Sequence, residues 1–413
     1  MRILLLNTSD QVGGAAIAAT RLLKALSKNK IDTHMIVRDK TSKSPSITAI
    51  SPSSKHYFNF LAERLRIFLS NLFSRKNLFA ISIANTGSNV TELPEFKQAD
   101  IIHLHWINQG FISIKELDKI VNSGKPIVWT MHDMWPITGI CHHARDCEKY
   151  KNNCGECPFL CRNKQNDLSQ RIFSKKKNIY EGNNIQFIGC SHWLSSCAKE
   201  SGLTVEAEVH HIPNPINTEV FKPRNQETAR NNLELPKDKK LILFGAAKST
   251  DKRKGIDYFV KACKKLKQEC NLPIAVVVFG KESNYLTNIL PYPVYSLGYL
   301  NDEQDMIDAY SAVDLFAIPS LEENLPNTIM ESMACGTPCV GFDIGGIPEL
   351  IDHLHNGYVA KYKSTTDLAE GIEWILTNEE QFLNREARRK VIDNYSEDIV
   401  AKKYIRIYNK LVK

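Results

Sequence analysis

Short apolar runs alternate with stretches of helical spacing along this chain, and the alternation starts afresh past its midpoint. Residues 2–7 (RILLLN), 33–37, 101–105, 126–130 and 185–190 are mostly apolar, as strands buried on both faces of a parallel sheet must be. Between the first two, residues 15–27 set Ile17, Leu22, Leu23 and Leu26 at helical spacing. A turn-rich segment, 212–223, carries Pro213, Pro215 and Pro223. Beyond it come strands at 241–245, 274–280, 314–319 and 339–342, with a helix at 256–268 and an amphipathic helix at 398–411. The pattern predicts an α/β chain of two doubly wound domains facing each other across a cleft. Residues 1–210 form the first domain, 211–392 the second, and 393–413 a terminal helix packing back toward the first. Ligands of such sheets sit at the carboxyl ends of the strands.

At 413 residues, 43% hydrophobic and 24% charged, the chain has the make-up of a globular protein and excludes disorder and collagen-like structure. The N-terminal run Ile3-Leu4-Leu5-Leu6 is too short for a secretory signal or a spanning helix, and no later stretch is longer and uncharged enough to cross a bilayer. A cytoplasmic protein is expected. Residues 1–210 carry 27 Lys+Arg against 18 Asp+Glu, a balance of +9, whereas the remainder is at −2. Charge confined to one half points to an anionic partner: a phosphorylated substrate, an anionic membrane surface or a nucleic acid.

Two segments carry chemistry. In Pro319-Ser320-Leu321-Glu322-Glu323-Asn324-Leu325-Pro326, Pro326 suits the first turn of a helix, which Gly336 and Pro338 should end after about three turns. The amides at that helix start, together with its dipole, make a phosphate site at a strand end. Glu323 precedes the helix and Glu331 lies about two turns inside it, so one carboxylate can face a ligand while the other accepts paired hydroxyl bonds, as a ribose offers; both can equally be solvated surface groups. In the second segment, 244–255, the cations Lys248, Lys252, Arg253 and Lys254 gather before Gly255 and a helix. An anion there would relieve their opposition to the helix dipole; a solvated basic turn is the alternative.

Together these segments resemble family 4 retaining glycosyltransferases, whose fold, termed GT-B, pairs two Rossmann-like domains. Glu323-x7-Glu331 matches that family's paired glutamates, Gly345-Gly346 its glycine pair, and Ile212-Pro213-Asn214-Pro215-Ile216-Asn217 its linker, with proline and asparagine replacing glycine and aspartate. The resemblance implies transfer of a sugar from a nucleotide diphosphate sugar with retained anomeric configuration and no catalytic metal. It implies that Glu331 holds the ribose, Glu323 the donor sugar, and the amides around Asn324 and Leu325 the diphosphate, while Lys254 offsets charge on the leaving group. The family's arginine is replaced by Lys248, which keeps the charge and loses bidentate geometry; Arg253 or Lys252 is the alternative. Gly13 and Gly14 resemble its glycine-rich loop, and His132, ending a strand, its cleft histidine. Of the neighbouring pair, His105 is a cleft-lining candidate and His103 a core residue.

Five of the eleven cysteines lie between 141 and 161. Cys154-x2-Cys157 with Cys141 and Cys147 upstream has structural-zinc spacing, with His142, His143 or Cys161 as substitute ligands and free or oxidised thiols as the alternative. Residues 55–79 interleave large apolar side chains with Arg64, Arg66, Arg75 and Lys76, as a helix lying on an anionic membrane would, or a helix packed on the sheet with a basic outer face. The function that combines these features is glycosyl transfer to a lipid-linked glycan acceptor in cell-surface polysaccharide biosynthesis, at the inner face of the membrane. A nucleotide-sugar epimerase of the same architecture is the second reading. A zinc-containing nucleic-acid-binding protein is the third, although no nucleic acid is expected with a phosphate site in the acidic half.

Overall fold

In the computed structural model, residues 1–50, 53–162, 164–300 and 302–412 are described. The chain divides into two compact units, Met1–Pro215 joined by the segment from Val400 on, and Ile216–Ile399. The division thus falls after Pro215 rather than at 210, and the first unit regains the chain at Val400 rather than 393: residues 393–395 end the helix Glu380–Tyr395, and Val400 lies in the first turn of the helix Glu397–Leu411.

The first unit is built on a parallel sheet of seven strands: β1 (Arg2–Ser9), β2 (Asp32–Asp39), β3 (Ile47–Ala49), β4 (Ile101–Leu104), β5 (Ile127–Met131), β6 (Ile185–Gly189) and β7 (Val209–His211), in the order β3-β2-β1-β4-β5-β6-β7. Alternate side chains of β1 serve two cores. Leu4 and Leu6 join Ile102, Leu104, Trp129 and Phe187 on one face. Ile3 and Leu5 join Leu22 and Leu26 of the helix Gly14–Lys28 and Tyr404 and Tyr408 of the terminal helix Glu397–Leu411 on the other. Both faces are dry, which is why the strand reads as a continuous apolar run.

The second unit repeats the plan with six parallel strands: β8 (Lys240–Lys248), β9 (Ile274–Lys281), β10 (Val294–Ser296), β11 (Leu315–Ile318), β12 (Cys339–Phe342) and β13 (Gly357–Ala360), ordered β10-β9-β8-β11-β12-β13. Ile242, Phe244, Val276 and Val278 pack on Phe259, Cys263 and Leu266 of the helix Ile256–Glu269. In each unit the chain leaves the central strand in one direction and returns on its other side. The switch points lie between β1 and β4 and between β8 and β11, where such sheets bind ligands.

Candidate functional site

At the second unit's switch point, the loop after β8 and the loop after β11 touch. Asp251 accepts from the Arg253 amide at 3.0 Å and starts a short 3-10 turn, Lys252–Lys254. Gly255 ends the turn with φ +75° and opens the helix Ile256–Glu269; a Cβ there would stand 1.7 Å from the Pro319 carbonyl oxygen, so only glycine permits the contact. The Leu321 amide donates to the Arg253 carbonyl at 2.7 Å, closing the two loops onto each other. Across this junction the Lys254 ammonium donates to Glu323 Oε1, which also accepts from Ser320 Oγ at 3.1 Å. The glycine pair holds the far side of the same loop. A Cβ on Gly345, at φ +57°, would lie 2.0 Å from the Glu323 carbonyl oxygen, and the Gly346 amide donates to the Asn324 carbonyl at 2.6 Å.

The helix that follows is Asn327–Ala334, eight residues rather than three turns. Pro326 stands at its capping position rather than within its first turn, and no side-chain oxygen caps it. Glu331 is therefore about one turn inside the helix. It is buried, not solvated, and accepts from the Tyr310 hydroxyl at 3.0 Å. Burial, with Glu331 beside it, pushes the Tyr310 phenol far above its ordinary range, so the hydroxyl stays a donor to the carboxylate. Asn324 and Leu325 are buried between Glu323 and this helix. The other cations point elsewhere: Lys248 pairs with Glu282 at 2.9 Å, and Arg253 with Asp251 at 2.7 Å. Lys254 is the cation whose side chain is ion-paired with Glu323.

In the first unit, Gly13 caps the helix Gly14–Lys28 at the end of β1, with open space where its Cβ would project. The ends of β4 and β5 bring His105 Nδ1 within 2.9 Å of His132 Nε2. Burial pushes His132 down to about 4 against the raising effect of Asp133, so the imidazole is neutral at pH 7. Beneath it, His103 is fully buried, bonded to Thr130 Oγ1 at 2.8 Å and to the Tyr408 hydroxyl at 2.7 Å. Asp133 gathers Trp106 Nε1 at 2.7 Å, His142 Nδ1 at 2.7 Å and the Trp135 amide at 2.8 Å. Burial alone would raise this carboxyl, but the His142 imidazole and these donors hold it at about 2. Tyr310, Asp133 and the Thr130–Tyr404–Tyr408 group were not singled out by sequence; each looks like an ordinary core or loop residue until its partner, distant in the chain, is placed beside it.

Cys141, Cys147, Cys154 and Cys157 line one small cavity, and all eleven cysteines are free thiols. The helix Ser53–Ser70 and the turns after it leave Tyr57, Phe58, Leu61, Leu65, Leu69, Leu72, Phe73 and Phe79 exposed. Arg64 is not among the outward cations: it is buried, paired with Glu63 at 3.0 Å and bonded to the Ile81 carbonyl at 3.1 Å. No helix of the described residues is long and apolar enough to cross a membrane.

Profiles of known families match both halves: "Glycosyltransferase Family 4" over residues 12–220 and "Glycosyl transferases group 1" over 225–397. The chain belongs to glycosyltransferase family 4. This glycosyltransferase is 28% identical over 341 residues to an uncharacterized glycosyltransferase of Methanocaldococcus jannaschii, across 78% of this chain and 85% of that one. It is 30% identical over 204 residues to the N,N'-diacetylbacillosaminyl-diphospho-undecaprenol alpha-1,3-N-acetylgalactosaminyltransferase of Campylobacter jejuni, across 48% of this chain and 53% of the relative. Its fold is shared with Anabaena HepE, solved in complex with UDP, at a TM-score of 0.65 and 15% identity over 99% of this chain and all of that one.

Proposed function

We propose that this glycosyltransferase moves a hexose from a nucleotide diphosphate sugar to a lipid-linked glycan, with retention at the anomeric carbon and without a catalytic metal. The observation that carries the reading is the Lys254–Glu323 pair clamped at the β8–β11 switch point, with Glu331 buried one helical turn away. Anomeric bond cleavage leaves an electron-poor sugar and a diphosphate gaining negative charge. The Lys254 ammonium and the dipole of a helix without a side-chain cap supply fixed positive charge for that diphosphate, the work a divalent cation does elsewhere. Glu331, steadied by Tyr310, offers two acceptor oxygens for adjacent ribose hydroxyls. Neutral His132 is suited to hydrogen bonding with a sugar rather than to charge. Retention is the expectation from the family, with the acceptor hydroxyl attacking on the face the diphosphate leaves and a phosphate oxygen taking its proton.

The lipid carrier is inferred from the helix Ser53–Ser70 and its following turns. Their apolar side chains repeat about every four residues, and Lys55, Arg66, Arg75 and Lys76 are exposed beside them. Among the described residues 55–79 the one carboxylate, Glu63, is buried. An apolar strip rimmed by cations fits an anionic bilayer, and eleven free thiols suit its cytoplasmic side. The Campylobacter relative's undecaprenol-linked name agrees with such an acceptor.

Three measurements test the reading. Thermal-shift screening with nucleoside diphosphates and their sugars should find a stabilising ligand whose effect is lost in Glu331→Ala and Lys254→Ala; survival in both variants overturns the site. Turnover should neither need nor rise with added magnesium or manganese, and product NMR should show the donor's anomeric configuration; dependence on either added ion or an inverted product refutes the corresponding part. Co-sedimentation with phosphatidylglycerol vesicles, weakened by salt and by Phe58→Ser with Phe73→Ser, should exceed that with phosphatidylcholine vesicles. Equal or absent binding removes the membrane surface.

A further inference from the structure

The cysteine-rich segment takes no part in the chemistry above, yet it is built around one point. Cys141, Cys147, Cys154 and Cys157 line the same cavity, while the substitutes considered from sequence are turned to other tasks or lie outside it. His142 bonds Asp133 through Nδ1 and Ser82 Oγ through Nε2 at 3.0 Å, and Cys161 is exposed. The surroundings are arranged for sulfur carrying negative charge. The Gly139 amide donates to Cys154 Sγ at 3.3 Å, and the Phe159 amide acts on Cys157, while the Ser169 hydroxyl donates to Asp167 Oδ1 at 2.6 Å. A thiol is a weak acceptor, whereas a metal-bound thiolate takes such bonds well. Gly155 gives the turn between Cys154 and Cys157 its room: a Cβ there would lie 2.5 Å from the Gln165 carbonyl oxygen.

A second observation is independent of the thiols' own geometry. The side chain of Lys176 is wholly buried, donating to the Trp135 and Thr138 carbonyls with its nitrogen 3.3 Å from the centre of the Trp135 ring. Among the described residues no carboxylate lies within ion-pair distance of it. Burial pushes this amine well below the ordinary lysine range, and it donates its two carbonyl bonds whether neutral or charged. The acidic groups near enough to act on it are Asp133 and the thiols of Cys154 and Cys141, which burial keeps protonated until a metal takes them.

We propose that Cys141, Cys147, Cys154 and Cys157 hold one structural zinc ion. Four S–H protons pass to solvent as four Zn–S bonds form, giving a site of charge −2. No three of the sulfurs lie mutually within 4.8 Å, so binding draws them inward by side-chain rotation onto tetrahedral zinc. The ion would fasten the loop that begins at His132 and runs through the Asp133–His142 bond to Cys141. This inference stands apart from the donor site and survives its failure.

Metal analysis of the full chain, purified under reducing conditions, should find close to one zinc per chain. Cys154→Ser and Cys157→Ser should lose it and Cys161→Ser should keep it. Should the serine variants fail to fold, cobalt(II) exchanged into the unaltered protein gives a second readout, an intense sulfur-to-cobalt absorption with tetrahedral visible bands. Well under half an equivalent of zinc, iron in its place, metal lost equally from Cys161→Ser, fewer than eleven thiols titrating in denaturant, or a cobalt spectrum without sulfur character each overturns the proposal.

Discussion

Glu331 and Tyr310 show how a single hydroxyl can set the worth of a carboxylate. The phenol donates to one oxygen and restrains the plane of the group, so that in the proposed site both oxygens would meet a ribose in a set geometry. Removing the carboxylate also strands the buried phenol, whereas removing the phenol leaves the carboxylate under-supported. Hydrogen bonds to a charged group are worth about 1.5–3 kcal/mol each. Glu331→Ala should therefore weaken nucleoside diphosphate binding by roughly 10²-fold or more and Tyr310→Phe by roughly 10-fold, measured by calorimetry. Equal losses in the two variants would mean that the phenol contacts the ligand itself. The glutamate pair was legible in the sequence because its spacing survives any folding. Tyr310 was not, because a tyrosine in a helix reads as core and its partner lies 21 residues away.

At the scale of elements, the interior strands buried on both faces were legible and the four edge strands were not. β1, β5, β9 and β12 are continuous apolar runs. β3, β7, β10 and β13 are three or four residues long with partly exposed positions, too little pattern to separate from a loop. β8 runs three residues past its expected end at 245, and Lys248 is its last residue, paired with Lys281 of β9 beyond a shift of register after Gly245. That pairing aims Lys248 toward Glu282 in the chain without ligand. The turn between β8 and its helix depends on Gly255. Gly255→Ala combines a left-handed φ with an overlap on Pro319, at a cost of about 1–3 kcal/mol for the backbone alone. The variant should melt several degrees lower and lose donor affinity as Lys254 leaves Glu323. A variant with unchanged melting and KM would show that the loops do not depend on their contact.

For the molecule as a whole, the alternation of strands and helices was enough to give two doubly wound units, while the closing of the first unit by a remote segment had to be seen. Tyr404 and Tyr408, from the last helix, bond Thr130 at 2.9 Å and His103 at 2.7 Å, sealing a group of histidines under the strand ends. Burial pushes His103 down to about 3 and His132 to about 4, and holds His105 well below its ordinary 6.5; His211 is likewise pushed down to about 4. Each is neutral in the folded chain where the unfolded chain, titrating near 6.5, already binds a proton. Between about pH 6.5 and 4 the unfolded state therefore holds more protons, and stability rises with pH through that window and falls as the solution is acidified. Each fully titrating histidine contributes a slope of up to about 1.4 kcal/mol per pH unit, so four acting together would make the first unit the acid-labile part of the chain. Four of the five tryptophans, Trp106, Trp129, Trp135 and Trp193, belong to that unit, and their fluorescence reports its unfolding separately from the second. Urea unfolding followed this way should show a midpoint nearly constant from pH 8 to 7 and falling steeply below 6.5, with Tyr408→Phe steepening nothing but lowering the whole curve. A midpoint flat down to pH 5 would mean that these imidazoles titrate in the folded chain near 6.5, as they do in the unfolded one, and are not held neutral by burial.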